Sequence, residues 1–389
     1  MSYFSTKKRI YLDYAAATPL DGRVMKAMRP YFGVEFGNAS SVHAEGRMAK
    51  RGLEAARAEV AEALSVRSEE IVFTSGATES INLFYKGVIE AAPVDKRHVV
   101  TLATEHMATL RVLQDLGCEV TLAPVDKDGL VSVDEVMRAI RPDTVLVTMM
   151  YVNNEIGTVL PIAEVGKALA KIKRSTKEVY PLFFSDAVQA ACALKLEVTK
   201  LGVDGLCLSG SKIYGPKGVG VLFIKKGTPL KAQILGGTQE GGRRAGTENV
   251  VGAVGLARAL AIAQIEHEDY EKKLRPLQSS LFAGILKIVP QAIINGSRTQ
   301  RVCSNVNVSL PGVDGEALVM YLDEAGIAAS TASSCTSSAG ASHVIKALGR
   351  SDRLAESSVR FTLGRKSNKS EIKRVLKELP RIIKLLKID

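Results

Sequence analysis

Residues 71–82 read IVFTSGATESIN, a short β-rich run followed by a glycine turn and the start of a helical pattern. Similar apolar runs recur through the first two thirds of the chain and alternate with longer helical stretches. The runs are IVFT (71–74), HVVTLA (98–103), CEVTLAPV (118–125), TVLVTMM (144–150), LFFSDA (182–187), GLCLSG (205–210) and VGVLFIK (219–225). This alternation predicts an α/β fold, in which helices flank a mostly parallel seven-stranded sheet.

The pattern changes near residue 260, after which helices are longer and strands are fewer. A chain of 389 residues is also longer than one typical domain. We therefore expect a second, smaller domain in the C-terminal part. No Pro-rich linker marks the boundary, which has to be placed from the change of pattern.

Composition excludes several classes of protein. The chain is 46% apolar and 24% charged, which excludes disorder, collagen and coiled coil. No apolar run reaches the ~18 residues of a membrane span, and the first residues lack the apolar core of an export signal. The five cysteines are scattered without a Cys-x-x-Cys pair, so a zinc ribbon or a disulfide framework is not expected. We expect a cytoplasmic protein that binds neither a membrane nor a metal.

Part of the net charge of +11 is local to the C-terminus. Residues 350–389 hold twelve Lys/Arg against five Asp/Glu, within a helical pattern that is interrupted at Pro380. Such a surplus can attract nucleic acid or an acidic partner. A solvated helix face is the simpler interpretation, and no direct binding of nucleic acid is expected.

One motif is suited to a phosphate group. SGATES (75–80) follows a predicted strand and opens a helix, so its backbone amides face outward at a helix N-terminus. Such amides and the helix dipole favour an anion. The alternative is an ordinary Ser-Gly turn with a threonine cap.

A second motif supplies an amine. In SGSKIYGPKG (209–218), Ser209 and Ser211 can donate to a phosphate while Lys212 points into a cleft. A lysine whose neighbours lower its pKa can form a Schiff base with an aldehyde cofactor. The alternative is a basic turn with solvated lysines.

A third motif, DAVQ (186–189), ends the run LFFSDA. Ligands of open α/β sheets bind at the carboxyl ends of strands, where Asp186 is expected. A carboxylate there can pair with the protonated pyridine nitrogen of pyridoxal phosphate. Alone, Asp186 could equally be a helix cap. Together, the three motifs predict a pyridoxal-phosphate site.

Two further residues are candidates for chemistry. His106 follows HVVTLA and can stack on a flat ring and shuttle protons. Cys335 lies in ASTASSCTSSAGAS (329–342), whose small side chains bury little area, so we expect an exposed, mobile loop with a reactive thiol. The alternative is an accidental thiol in a linker. The other cysteines are expected to be inert and buried: Cys118, Cys192, Cys207 and Cys303.

These residues belong to a longer set of motifs that runs nearly end to end. The motifs are YLDYAAATPL (11–20), GNASSVHAEG (37–46), FTSGATESIN (73–82), ATEH (103–106), YVNNEIGTVLPI (151–162), SDAVQA (185–190), SGSKIYGPKGVGVLFI (209–224), GGTQEGGRRAGTENV (236–250), the Cys335 stretch and SSVRFTLGR (357–365). In combination they resemble the cysteine desulfurases of the NifS/IscS type, in the class V aminotransferase family of fold-type I pyridoxal-phosphate enzymes.

The resemblance implies how pyridoxal 5'-phosphate is held. Lys212 would carry the cofactor and later move the substrate's α-proton, Asp186 would pair with the pyridine nitrogen, and His106 would stack on the ring. The remaining implied contacts are Asn154 and Gln189 at the ring hydroxyl, and Ala77, Thr78, Ser209 and Ser211 at the phosphate, joined by Thr247 from the other subunit of a homodimer.

The resemblance also implies the reaction. Arg360, assisted by Asn38, would bind the carboxylate of L-cysteine, and Cys335 would take the sulfur as a persulfide. The products would be L-alanine and sulfur for an acceptor or scaffold protein, in iron–sulfur cluster assembly or tRNA thiolation. The implied domains are a large one at 15–262 and a small one formed by 1–14 with 263–389, which carries the Cys335 loop.

The sequence departs from the family pattern at two places of note. Ser211 stands where the family usually has histidine before the lysine, and Gly241 replaces an arginine near the expected subunit contact. Neither change removes a reacting group. A related aminotransferase, selenocysteine lyase or β-lyase remains the alternative, and such enzymes would not need Cys335.

Overall fold

The computed structural model describes residues 9–331 and 341–386. Its strands are β1 (Ile10–Tyr11), β2 (Ile71–Thr74), β3 (His98–Leu102), β4 (Glu119–Ala123), β5 (Thr144–Thr148), β6 (Leu182–Asp186), β7 (Gly205–Ser209), β8 (Gly220–Ile224), β9 (Ile293–Ile294), β10 (Asn305–Ser309), β11 (Ile327–Ala328) and β12 (Ser358–Thr362).

Its helices alternate with the strands in the first part and dominate the second. They are α1 (Gly22–Met28), α2 (Ala44–Leu64), α3 (Ala77–Ala91), α4 (Met107–Asp115), α5 (Val133–Arg138), α6 (Ile162–Thr176), α7 (Val198–Leu201), α8 (Val250–Ile288), α9 (Gly315–Glu324), α10 (His343–Ala347), α11 (Asp352–Glu356) and α12 (Lys369–Leu386).

The predicted α/β fold is confirmed. Seven strands form one sheet in the order β2-β8-β7-β6-β5-β3-β4, and each coincides with a predicted run to within a few residues. Strands β7, β6, β5, β3 and β4 are parallel to one another, whereas β8 is antiparallel to both β2 and β7. The carboxyl ends of β2, β3, β5, β6 and β7 therefore lie along one edge of the sheet.

Alternate side chains of these strands enter two different cores. In β6, Phe183 packs into the core that contains α2 and α8, while Phe184 packs with α3 and α4 on the other face. In β2, Phe73 packs into the first of these cores and Val72 into the second. Because side chains alternate along a strand, a sheet covered on both faces needs apolar residues at every position. This explains the uninterrupted apolar runs of the sequence.

The C-terminal part carries two small sheets. Strands β9, β10 and β12 form an antiparallel sheet, and β1 pairs in parallel with β11. The first described strand is thus built into the C-terminal part of the chain. The expected boundary between residues 262 and 263 falls inside the continuous helix α8, and the domain limits stay a prediction.

Helix α12 does not stop at Pro380, contrary to the expectation from sequence. Proline removes one backbone donor and clashes with the preceding turn. Here Val375, Leu379 and Ile382 on either side of the proline are all buried against the rest of the protein. Packing of this face holds the helix together through the proline.

Helix α8 is long and apolar enough to cross a membrane by length and composition alone. Most of its apolar window is buried inside the protein, where it packs against α1, α2 and α12. A helix buried in a protein core can have the same length and apolar composition, so the position of α8 in the fold explains its apolar character.

Candidate active site

A cavity of about 550 Å³ opens at the edge of the sheet where the parallel strands end. Most residues that the sequence predicted for the site line it. They are Ala77, Thr78, His106, Asn154, Asp186, Gln189, Ser209, Ser211, Lys212 and Arg360. Asn38 and Thr247 are exposed and do not line this cavity within one chain. Cys335 lies outside the described residues.

The N-terminus of α3 faces this cavity. Gly76, Ala77 and Thr78 come just after β2 and Ser75, and no side chain among the described residues caps the first turn of the helix. The hydroxyl oxygens of Ser209 and Ser211 lie 3.1 Å apart on the same cavity wall. Outward amides and two hydroxyl groups make a cradle of donors that suits a phosphate.

Lys212 stands on a short 3₁₀ turn, Gly210–Lys212, that follows β7. Its Nζ donates to the carbonyl oxygen of Ala16. The turn is braced by Thr18, whose backbone N–H donates to the Ser211 carbonyl at 2.9 Å and whose Oγ1 accepts from the Tyr214 N–H at 2.7 Å. The stretch YLDYAAATPL thus supports the lysine from nearly 200 positions away in the chain, a role that the sequence analysis missed.

Asp186 ends β6 and is buried. Its Oδ1 accepts from the Val188 N–H at 2.9 Å. Burial raises the pKa of the carboxyl group, while the Val188 amide and the positive charge of Lys212 act against that rise. A buried carboxyl group of this kind is stabilised as an anion by a cationic partner.

His106 caps α4 through its ring. Its Nδ1 accepts from the Ala108 N–H at 3.0 Å, which places the ring proton on Nε2. Burial lowers the pKa of the imidazole, so the neutral ring is favoured. A neutral, flat ring beside Asp186 can pack on a planar ligand.

Arg360 lies on β12 and reaches the cavity from the C-terminal part of the chain. Its Nη2 donates to Asp13 Oδ1 and its Nη1 to the Asn154 carbonyl, each at 3.0 Å. Its Nε is buried and has no hydrogen-bond partner among the described residues. A guanidinium group held in one place by fixed contacts is suited to a carboxylate ligand.

These residues fit pyridoxal phosphate on three counts. The cavity has the volume of a small-ligand site. The uncapped start of α3 matches a phosphate, and the amine of Lys212 and the buried carboxyl group of Asp186 face the same space. An aldehyde and a pyridine nitrogen are the groups that such an amine and carboxylate would meet.

Two buried glutamates beside this cavity were missed by the sequence analysis. The Oε1 of Glu105 accepts from the Met150 N–H at 2.6 Å, while its Oε2 is buried without a hydrogen-bond partner among the described residues. Burial raises the pKa of Glu105 to about 8 and that of Glu155 to about 7. Both directly adjoin predicted residues, His106 and Asn154, and adjacency was the one signal that could have found them.

The other cysteines are unsuited to nucleophilic chemistry. Cys207 and Cys303 are buried, as expected, whereas Cys118 and Cys192 are only partly buried by surface exposure. Burial raises the pKa of all four thiols: Cys118, Cys192, Cys207 and Cys303. The thiolate, which is the nucleophile, is therefore disfavoured at each.

A mostly parallel sheet with an amine, a buried carboxyl group and an uncapped helix N-terminus at its carboxyl edge defines the class of the protein. It is a fold-type I enzyme fold, whose members use pyridoxal phosphate. The chain belongs to the class-V aminotransferase family, because the family's sequence pattern, Aminotransferase class-V, matches residues 10–375.

Individual relatives are similar over nearly the whole chain. Cysteine desulfurase IscS of Dictyoglomus turgidum is 42% identical over 385 residues, which cover 98% of this chain and 96% of that protein. A solved structure described as a NifS-like protein superposes with a TM-score of 0.90 at 36% identity, over 97% of this chain and 100% of the other. A structure described as SspA in complex with cysteine superposes with a TM-score of 0.78 at 33% identity, over 92% of this chain and 99% of the other.

Proposed function

We propose that the protein is a cysteine desulfurase, which removes sulfur from L-cysteine, yields L-alanine and leaves a persulfide on Cys335. The observation that carries the proposal is the meeting of Lys212, Asp186 and Arg360 in one cavity. An amine, a buried carboxylate and a carboxylate-binding guanidinium group are what an amino-acid enzyme with pyridoxal phosphate requires. The similarity to curated cysteine desulfurases over nearly the full length supports this choice of reaction.

Each residue has a distinct task in the proposed reaction. Bound pyridoxal phosphate supplies a ring that accepts the electron pair released at the substrate's Cα. Asp186 stabilises positive charge at the ring nitrogen, and the α3 N-terminus with Ser209 and Ser211 holds the phosphate. Lys212 attaches the cofactor and carries the α-proton. Its neighbour, the Ala16 carbonyl, fixes the position of its Nζ.

Arg360 orients the substrate. With Nη1 and Nη2 committed to Asn154 and Asp13, the guanidinium plane is fixed before the substrate arrives. A carboxylate bound there places the amino group and Cα of L-cysteine in the space that Lys212 faces. Fixing reacting groups in this way lowers the entropic part of the barrier.

Sulfur transfer is assigned to Cys335 from the sequence. Its thiolate attacks the sulfur of the bound cysteine; the C–S bond breaks, an S–S bond forms on Cys335, and Cβ takes up a proton to give alanine. The raised pKa values of the other four thiols support the choice. The persulfide would then pass to an acceptor or scaffold protein, in iron–sulfur cluster assembly or tRNA thiolation.

We further propose that the active form is a cytoplasmic homodimer. Thr247 and Asn38 are exposed rather than in the cavity of their own chain. Large apolar side chains are also exposed near Asn38, with Phe32 at 66%, Val34 at 77% and Phe36 at 70% exposure. Such a cluster is typical of a surface that another protein covers.

The deciding experiment measures both products. Purified protein with pyridoxal phosphate and L-cysteine should form alanine and a persulfide that alkylation and mass spectrometry locate on Cys335. Cys335→Ser should lose alanine formation by at least 100-fold and still bind the cofactor. Cys118→Ser, which changes a thiol that is partly buried in the fold, should behave as wild type. Alanine or pyruvate formed at full rate by Cys335→Ser would instead indicate an aminotransferase, a selenocysteine lyase or a β-lyase.

A further inference from the structure

One flank of the stretch that bears Cys335 is attached to a residue that lines the cavity, and the other flank is attached to a residue beside it. On the N-terminal side, the backbone of Ser330 pairs with that of Arg360, through N–H···O bonds of 3.1 and 2.7 Å. On the C-terminal side, the stretch ends at Ser342, the residue that caps α10. Ser330 and Ser342 are both buried, although the composition of the stretch predicted exposure.

Ser342 connects α10 to Glu155. Its Oγ–H donates to Glu155 Oε2 at 2.5 Å, and the same oxygen accepts from the Ile345 N–H at 3.1 Å. Glu155 thus accepts a hydrogen bond from the hydroxyl group that caps the helix. Both residues are buried, so water does not compete for this hydrogen bond.

Glu155 is itself held from two directions. Its N–H donates to Asn153 Oδ1 at 2.9 Å, in the loop that also presents Asn154 to the cavity. Its carbonyl oxygen accepts from the side-chain amides of Asn305 at 2.9 Å and Asn307 at 3.0 Å, both on β10. The carboxyl group therefore extends from a fixed backbone.

His343, the next residue of α10, makes a second contact. Its Nε2 donates to the Glu105 carbonyl oxygen at 2.9 Å, directly before His106. Two successive residues, Ser342 and His343, are thus bonded to the two loops that carry Asn154 and His106.

We propose that Glu155 is a positioning residue, which holds the start of α10 against the cavity and so fixes where the Cys335 stretch rejoins the site. The inference rests on the proposed function. Cys335 stands seven residues before Ser342 and five after Ser330. Seven residues span at most about 25 Å when extended, so the position of Ser342 limits how far from it the thiol of Cys335 can lie. Loss of the Ser342 attachment should therefore weaken the placement of the thiol at the substrate, an effect that the rate of persulfide formation measures.

The test compares Glu155→Ala, Glu155→Gln and Ser342→Ala with Ser351→Ala. Glutamine keeps an oxygen that can accept from Ser342. Ser351 caps the neighbouring short helix α11, so its change removes an N-cap of the same kind outside this contact. The readouts on the holoenzyme are kcat and KM for alanine, and the single-turnover rate of persulfide formation on Cys335. The affinity for L-cysteine is measured from cofactor absorbance in a Cys335→Ser background.

Glu155→Ala and Ser342→Ala should each slow persulfide formation by at least tenfold, with KM and cysteine affinity within threefold of wild type. The double variant should be no slower than the slower single one, because both remove the same hydrogen bond. Glu155→Gln and Ser351→Ala should stay within threefold of wild type.

An unchanged persulfide rate in Ser342→Ala, or an equal loss of cysteine affinity in the Glu155→Ala, Cys335→Ser protein, would overturn the inference. Should Glu155→Ala fail to fold, the inference is tested by the persulfide rates of the other two variants. Ser342→Ala should be slow and Glu155→Gln should stay close to wild type. A wild-type protein that forms neither alanine nor persulfide would instead refute the proposed function, so the two failures are distinguishable.

Discussion

Three buried carboxyl groups surround the cavity, and their surroundings differ. Asp186 lies near Lys212, whose positive charge opposes the effect of burial on the pKa of the carboxyl group. Glu155 has the Ser342 hydroxyl and the nearby charge of Arg360. For Glu105 the opposing contacts are hydrogen bonds only, and nearby Asp186 adds to the rise in its pKa. We therefore expect Glu105 to be neutral at neutral pH.

The state of Glu105 predicts a pH-dependent stability. Its pKa is 4.5 before folding and about 8 in the fold. A raised pKa stabilises the fold below pH 4.5, and this contribution is lost as pH rises toward 8. Each pH unit between the two pKa values lowers the contribution of Glu105 to the free energy of unfolding by about 1.4 kcal/mol. Glu105→Gln, which mimics the neutral group, should raise the thermal midpoint relative to wild type at pH 8 and much less at pH 5. A difference that is the same at both pH values would contradict this.

The attachment site of the cofactor is a second prediction for single residues. Borohydride reduction of the holoenzyme should fix the chromophore to the peptide that contains Lys212. Lys217 also lines the cavity, and Lys217→Ala should still be labelled at Lys212. Lys212→Ala should retain part of the cofactor through the phosphate contacts and lose turnover by at least 1,000-fold. Label on Lys217 in the wild type would refute the assignment.

Among the elements, strand β8 and helix α3 meet at a point without room for a side chain. A Cβ on Gly220 would lie 2.6 Å from the backbone Cα and carbonyl carbon of Gly76, which precedes the first turn of α3. The start of β8 therefore fixes the position of the proposed phosphate cradle. Because the Gly76 atoms in this contact belong to the backbone, they cannot rotate away as a flexible side chain would.

Gly220→Ala should therefore displace the start of α3. We expect the affinity for pyridoxal phosphate to fall by at least tenfold, as measured by titration of the cofactor-free protein. Gly22→Ala is the matched control, because a Cβ there meets nothing within 4 Å. Equal affinities of the two variants would show that the close contact does not position the cradle.

Sequence pattern predicted the elements of the sheet and the residues at their ends. Runs such as LFFSDA are apolar because both faces of the sheet are covered, and Asp186 was found because it ends such a run. Contacts between distant segments leave no local pattern. The bracing of Lys212 by Ala16 and the bond between Glu155 and Ser342 were missed for that reason.

At the scale of the whole molecule, the exposed apolar residues near Asn38 predict a second copy as the partner. Phe36→Asp should shift the protein from dimer to monomer at micromolar concentration, as measured by sedimentation. Val94→Asp, at another strongly exposed apolar position, should leave the mass unchanged.

Thr247→Trp should weaken both association and cofactor affinity. A fully active wild-type monomer would refute the dimer and the role of Thr247 together.

The pairing of β1 with β11 has a consequence for synthesis on the ribosome. Translation proceeds at about 5–20 residues per second, so Arg360 emerges on the order of ten seconds after Lys212. During that interval the nascent chain has the amine and the phosphate cradle, yet it lacks the guanidinium group, the thiol of Cys335 and the partner strand of β1. The amine and the donors of the cradle are therefore in the chain before the guanidinium group that would bind the substrate's carboxylate.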